Sequence, residues 1–144
     1  MKSKEIYHEF KTFKDGAKTK FIYISILLTA LYTVYGTMIV SNYKVYGEYN
    51  GFPDSFNSAV GTVGSIMNGS ARIFWGYLME KFTIMQLLIV NVTCQIAVSF
   101  TFHWVASIQG LFFLWVLFGY FLYGAWLAIM PALINRIYGK KIGT

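Results

Sequence analysis

Arg72 lies inside FNSAVGTVGSIMNGSARIFWGYLMEK, residues 56–81, a stretch with no other charge before Glu80 and Lys81. Gly61, Gly64, Ser65, Asn68, Gly69, Arg72 and Gly76 recur at i, i+3, i+4, i+7, i+8, i+11 and i+15, one continuous stripe at helical period. In lipid, small residues let helix backbones approach closely, and an arginine near mid-membrane must face protein, water or a bound anion. The chemistry on offer is therefore anion recognition, with a planar guanidinium fork matched to a carboxylate. Asn68, one turn earlier, can supply a carbonyl oxygen to that guanidinium but no charge. No Asp or Glu lies within the apolar spans, and the nearest is Glu80 at the edge. The counter-charge is expected from a carboxylate ligand or from another chain.

The elements that must position Arg72 follow from composition. The chain has 144 residues, 56% of them hydrophobic and 12% charged, against about 25% charged in soluble domains, and this marks an integral membrane protein. Apolar runs over 21–40, 84–104 and 106 to 134 have the roughly 20 residues needed to cross a hydrocarbon core of roughly 30 Å. The stripe helix makes a fourth span, although hydropathy alone leaves it ambiguous. Its strongly apolar residues, such as Val60, Ile66, Ile73 and Phe74, favour insertion by about 0.3 to 0.6 kcal/mol each, while Arg72 costs about 3. It must be held by its neighbours. The expected fold class is an all-α, four-helix membrane bundle with helices at 21–42, 55–80, 83–104 and 106–136. Gly61, Gly64, Ser65 and Gly69 are expected to pack against other helices, and Gly119, Gly124 and Pro131 mark a last helix that packs closely and bends. Asn91, Gln95 and Ser99, at i, i+4 and i+8, are expected to hydrogen-bond a neighbouring helix.

The segments around the domain carry the remaining charge. Residues 1–20 read as an amphipathic inner-surface helix, with Ile6, Phe10, Phe13 and Ala17 on one face, or as a disordered tail. The loop from 41 to 55 is tyrosine-rich, and Asp54 or Ser55 is expected to cap the stripe helix. Residues 137–144 form a basic tail. Six lysines precede the first span, Lys81 lies between the second and third, and Arg136, Lys140 and Lys141 follow the fourth, leaving only Lys44 on the opposite side. The positive-inside rule then places both termini on the cytoplasmic side, or on the matrix side in a mitochondrion. A net charge of +6 does not mark a nucleic-acid binder, because the basic residues flank spans instead of forming a face with stacking aromatics. His8, His103 and Cys94 lack metal-ligand spacing. No nucleophile and base or paired carboxylates occur in the spans. Neither an enzyme, a metal nor a cofactor is expected.

Asn68-Gly69-x-x-Arg72-x-x-x-Gly76-x-Leu78-x-Glu80-Lys81 resembles the eighth helix and following turn of major facilitator transporters. It is most similar to the oxalate/formate antiporter and monocarboxylate transporter branch, where an N-G-x-x-R run leads into W-G-x-x-x-D-R, and Trp75-Gly76 fits that run. GAWLAIMPALINRIYGKKIG, from Gly124 to Gly143, resembles the same branch's tenth helix. The whole chain would correspond to helices seven to ten. The resemblance implies that Arg72, with Asn68, faces a substrate carboxylate, and that Gly76, Glu80 and Lys81 belong to a gating turn. Arg72 sits roughly 12 Å of helix from the inner boundary, near the depth at which secondary transporters hold substrate.

Transporters of that kind hold substrate between two six-helix halves, and four helices supply only part of one half. The expectation is a non-transporting structural subunit of a larger membrane assembly, for which a respiratory complex of the mitochondrial inner membrane is one setting and the plasma membrane another. The alternative is the C-terminal part of a split carrier for monocarboxylates or dicarboxylates. The implied partners are the lipid bilayer and other membrane chains, with a small carboxylate only in the split carrier. In sealed vesicles, protease protection should show both termini on the same side, and opposite placement would exclude the four-span topology.

Overall fold

The structure, a computed structural model, describes residues 20–138. These form four helices, α1 (Lys20–Tyr49), α2 (Asp54–Lys81), α3 (Ile84–Val105) and α4 (Gln109–Tyr138). The two expected tails lie outside the described residues, except that Lys20 opens α1 and residues 137–138 complete α4.

α1 runs seven residues beyond the expected end at 42, because residues 43–49, read as a tyrosine-rich loop, are helical. Two of their three tyrosines pack against other helices, the Tyr43 ring meeting Tyr120 at 6.1 Å and Tyr46 meeting Phe102 at 5.3 Å, while Tyr49 is exposed. The helix stops at Asn50-Gly51. Gly51 takes φ 77°, its N–H donates to Glu48 O at 2.9 Å and that of Phe52 donates to Gly47 O at 2.9 Å. This pair of bonds is a Schellman closure, which needs a left-handed residue that glycine supplies without steric cost.

The expected cap of α2 is corrected. Pro53, in extended conformation, holds the N-cap position with no side-chain bond, and Asp54 is already helical. The Asp54 carboxylate instead pairs with Lys44 Nζ at 2.6 Å, and Ser55 is exposed. α3 begins one residue later than expected because Thr83 is its cap. Thr83 Oγ1 accepts from Gln86 N at 3.3 Å while Thr83 N donates to Gln86 Oε1 at 3.1 Å, a reciprocal capping box. α4 opens at Gln109 after a short turn through Ala106–Ile108, and it continues through Pro131 to Tyr138.

Connections this short make successive helices antiparallel, and the packing agrees. Val60 on α2 lies with Phe112 and Val116 on α4, and further on Ala71 and Trp75 lie with Leu122, Ala125 and Ile129. α2 and α4 are therefore parallel. Tyr32 stacks on Trp126 at 3.9 Å while Tyr43, further along α1, meets Tyr120, earlier in α4, so those two are antiparallel. α4 is the central element. Phe112, Val116, Leu117, Tyr120, Leu122, Ala125, Trp126, Ile129 and Met130 are all buried, which covers most of its circumference, as expected of a helix apolar all round.

α1, α3 and α4 are long and apolar enough to cross a membrane, over Ile22–Tyr49, Ile84–Val105 and Gln109–Asn135. The outer faces of α1 and α3 carry exposed Ile24, Leu27, Leu31, Val34, Ile89, Ile96 and Phe100. Apolar patches of this extent on a folded surface mark contact with a membrane or with other protein. α2 has the length, at 28 residues, but its polar stripe keeps it out of that apolar class.

α4 packs tightly on α2 at Gly124. A Cβ there would lie 2.5 Å from the backbone oxygen of Asn68 and 2.8 Å from Ala71 Cβ, so backbone and not a flexible side chain would have to move. Gly124→Ala should destabilise the bundle by about 1–3 kcal/mol in denaturant titrations in mixed micelles. Gly110→Ala, where a Cβ meets nothing within 4 Å, should leave the midpoint unchanged.

Candidate functional site

Arg72 and Asn68 lie one turn apart on α2, and the structure brings them together. Arg72 Nη2 donates to Asn68 Oδ1 at 3.2 Å. Asn68 is itself held from α4, because its Nδ2 donates to the backbone oxygen of Tyr120 at 3.0 Å. The asparagine amide is thus used at both ends, its donor fixed to the neighbouring helix and its acceptor turned to the guanidinium. Arg72 is exposed on the outside of the bundle. Its neighbours Ile73 and Phe74 are exposed as well, at 78% and 48%. Among the described residues it has no ion pair; the pair that forms, Lys44 with Asp54, lies near the other end of α2.

The small residues of the stripe divide into two groups. Gly61 faces the Tyr43 hydroxyl, and Gly64 lies where a Cβ would sit 2.9 Å from the Tyr120 ring. On α4, Gly119 abuts Ile39 and Gly124 abuts Asn68. These four glycines close helix contacts within the chain. Ser65 is exposed, and its hydroxyl donates back to Gly61 O at 2.9 Å. Gly69 and Gly76 meet nothing within 4 Å. Ser65, Gly69, Arg72 and Gly76 therefore lie along the uncovered side of α2. The turn that follows keeps its charges apart: Glu80 is exposed, and Lys81 Nζ sits 4.6 Å from the centre of the Tyr77 ring. Pro131 is exposed on α4.

The polar run on α3 also reaches α4. Asn91 is buried, its Nδ2 donates to Leu122 O at 3.2 Å, and Gln95 Nε2 donates to Asn91 Oδ1 at 2.9 Å. Only Asn91 bonds the neighbouring helix directly. Gln95 bonds Asn91, and Ser99 is exposed beside a cavity. Such pairing is required, since a buried amide without a partner loses its hydration with no compensation.

That cavity, about 340 Å³, opens between α1 and α3 over a floor of α4. Tyr35, Met38, Asn42, Ser99, Phe102 and Trp115 line it, and no charged residue does. The sequence reading missed it. Its α1 residues, 35, 38, 39, 42, 43 and 46, share a helical face, but the other walls come from two more helices, and the space arises because the α1 and α3 backbones stand apart on α4, with side chains meeting where Tyr46 reaches Phe102 and His103. Only Asn42 and Ser99, polar residues within apolar helices, signalled it. Among the described residues no group of three His, Cys, Asp or Glu could hold a metal ion, and Cys94 is a free, half-buried thiol.

The geometry at Arg72 can bind a planar anion or an acidic side chain arriving from outside the bundle. It offers no nucleophile or base. No family model, curated protein or solved structure matches this chain. Asn68→Ala should lower stability by about 0.5–2 kcal/mol in mixed-micelle unfolding with helical content unchanged. An unaltered midpoint would mean that the bond to Tyr120 contributes nothing.

Proposed function

We propose that this chain is a four-span integral membrane protein, related to helices seven to ten of carboxylate-type major facilitators, that serves as a non-transporting structural subunit of a larger membrane assembly. The observation that supports this reading is the placement of Arg72. Its guanidinium lies on the outside of the bundle, anchored by one neutral amide and without an acidic partner among the described residues. Exposure to hydrocarbon would cost on the order of 3 kcal/mol or more. Beside it Gly69 and Gly76 offer backbone open to approach. A second membrane helix carrying a carboxylate fits such a face, since glycine permits close approach and the acid neutralises the arginine. The cavity within the chain lies elsewhere and is uncharged, so it does not hold a carboxylate.

A second reading is the C-terminal part of a split carrier. It is favoured by the hydrogen bond that holds Arg72 to Asn68 with the guanidinium exposed on α2, where a second polypeptide could meet it. In that case the wall of the cavity comes from another polypeptide and the small carboxylate occupies the gap.

The experiment that separates them is purification in mild detergent, identification of the co-purifying chains, and substitution of Arg72 in that assembly. Arg72→Lys keeps the charge and loses the planar fork. In a structural subunit it should loosen the assembly with no flux to lose, whereas in a split carrier it should abolish carboxylate flux with the assembly intact. An Arg72→Ala assembly that stays whole and shows unchanged properties would remove Arg72 from both roles.

A further inference from the structure

We infer that the cavity between α1 and α3 is a seat for one acyl chain of a phospholipid from the leaflet on the Tyr49 side of the membrane. The inference rests on the membrane reading above but not on Arg72, which lies on the outer side of another helix.

Three features of the cavity define its occupant. Its walls carry no charge and are built from Met38, Ile39, Val98, Phe102 and Trp115 with few polar groups, which excludes an ion or a polar metabolite. Its volume, about 340 Å³, lies at the lower end of the roughly 300–1,000 Å³ of small-molecule sites. An unfilled apolar space of this size would forfeit dispersion contacts along its whole lining. It opens sideways between two helices whose outer faces carry exposed Val34, Met38, Ile96 and Phe100. Entry is therefore from the lipid and not from water.

Length then selects a single tail. The α1 lining runs from Tyr35 to Tyr46, twelve residues and eleven steps of 1.5 Å, or roughly 16 Å of helix. That equals about half of a hydrocarbon core of roughly 30 Å, the depth of one leaflet. One end lies at Tyr35, midway along α1, beside Ser99 of α3. The other end reaches Asn42 and the Tyr46 hydroxyl, which meets His103 Nδ1 at 3.4 Å. Polar aromatic groups at that level belong to the headgroup boundary, so a tail in the groove leaves its glycerol ester region beside Asn42, Tyr46 and His103.

Reconstitution into vesicles of dioleoylphosphatidylcholine, gentle detergent extraction and native mass spectrometry test the seat. The chain should retain one phospholipid. Ser99→Phe, which places a ring in the groove, should lose it with helical circular dichroism unchanged, and Met38→Trp, filling the same space from α1, provides a second variant should the first not fold. Ile73→Phe, on the exposed outer side of α2, should retain the lipid. Retention in both groove variants, or no retained lipid in the unaltered chain, overturns the seat. Quenching of tryptophan emission by brominated lipid reports insertion separately. Quenching without a retained lipid rejects the groove alone, and absence of quenching rejects the membrane reading together with it.

Discussion

A helix that carries an arginine, an asparagine and four glycines between residues 61 and 76 cannot be held by lipid, so its attachment to α4 determines the rest of the arrangement. That attachment is made where side chains are smallest. At Gly124 the α4 backbone reaches the backbone of Asn68, and a turn away Gly64 accepts the Tyr120 ring. The close approach lets the short Asn68 side chain reach the Tyr120 carbonyl, a bond that a larger residue at either glycine would prevent. Close packing and polar pairing are thus one interaction, since the first sets the distance that the second requires.

The same device operates from the other side. Asn91 on α3 bonds the Leu122 carbonyl, two residues along α4 from the one bonded by Asn68. Each amide adds a second donor to a helical carbonyl, using a lone pair that the backbone ladder leaves free. α4 is therefore gripped by neutral amides from two helices, inside a surround of Leu122, Ala125 and Ile129 that keeps out water. Its apolar circumference accounts for its central position: α4 has no polar face to present outward, while α2 and α3 have polar residues that need an acceptor. α1, whose outer face is broadly apolar, lies at the margin and leaves the gap toward α3.

Glycine has two opposite uses along α2 and α4. Gly61, Gly64, Gly119 and Gly124 are filled by neighbours within the chain, while Gly69 and Gly76 are open. The open pair brackets Arg72 on the side that none of the four described helices covers. A contact surface with small residues and one charge fits specific association better than contact with lipid, because hydrocarbon neither needs the close approach nor compensates the charge. The proposed subunit role and the proposed split carrier share this requirement for a second chain. They differ in whether acid or substrate meets the guanidinium.

The number of helices, their approximate extents and the polar stripe were legible in the residues, because span length, helical period and glycine placement are local properties. So was the pairing of Asn68 with Arg72, which needs only a one-turn offset. The helical extension through Tyr49 was not legible: a tyrosine suits an interfacial loop as well as a packed helix, and only Tyr120 and Phe102, distant in sequence, decide between them. The cap of α2 was misread for a similar reason, as Lys44 on another helix takes the Asp54 carboxylate. Sequence by itself determined that the chain is helical and rich in membrane-length apolar segments, and that a single arginine stands among them, since these follow from composition and period. Tertiary structure alone decided which side of the stripe is covered and which is open, because a period of 3.6 fixes a residue's angle about its own axis but not the neighbour it meets. It also decided that a cavity exists, a space that depends on how far α1 and α3 stand apart when both pack on α4.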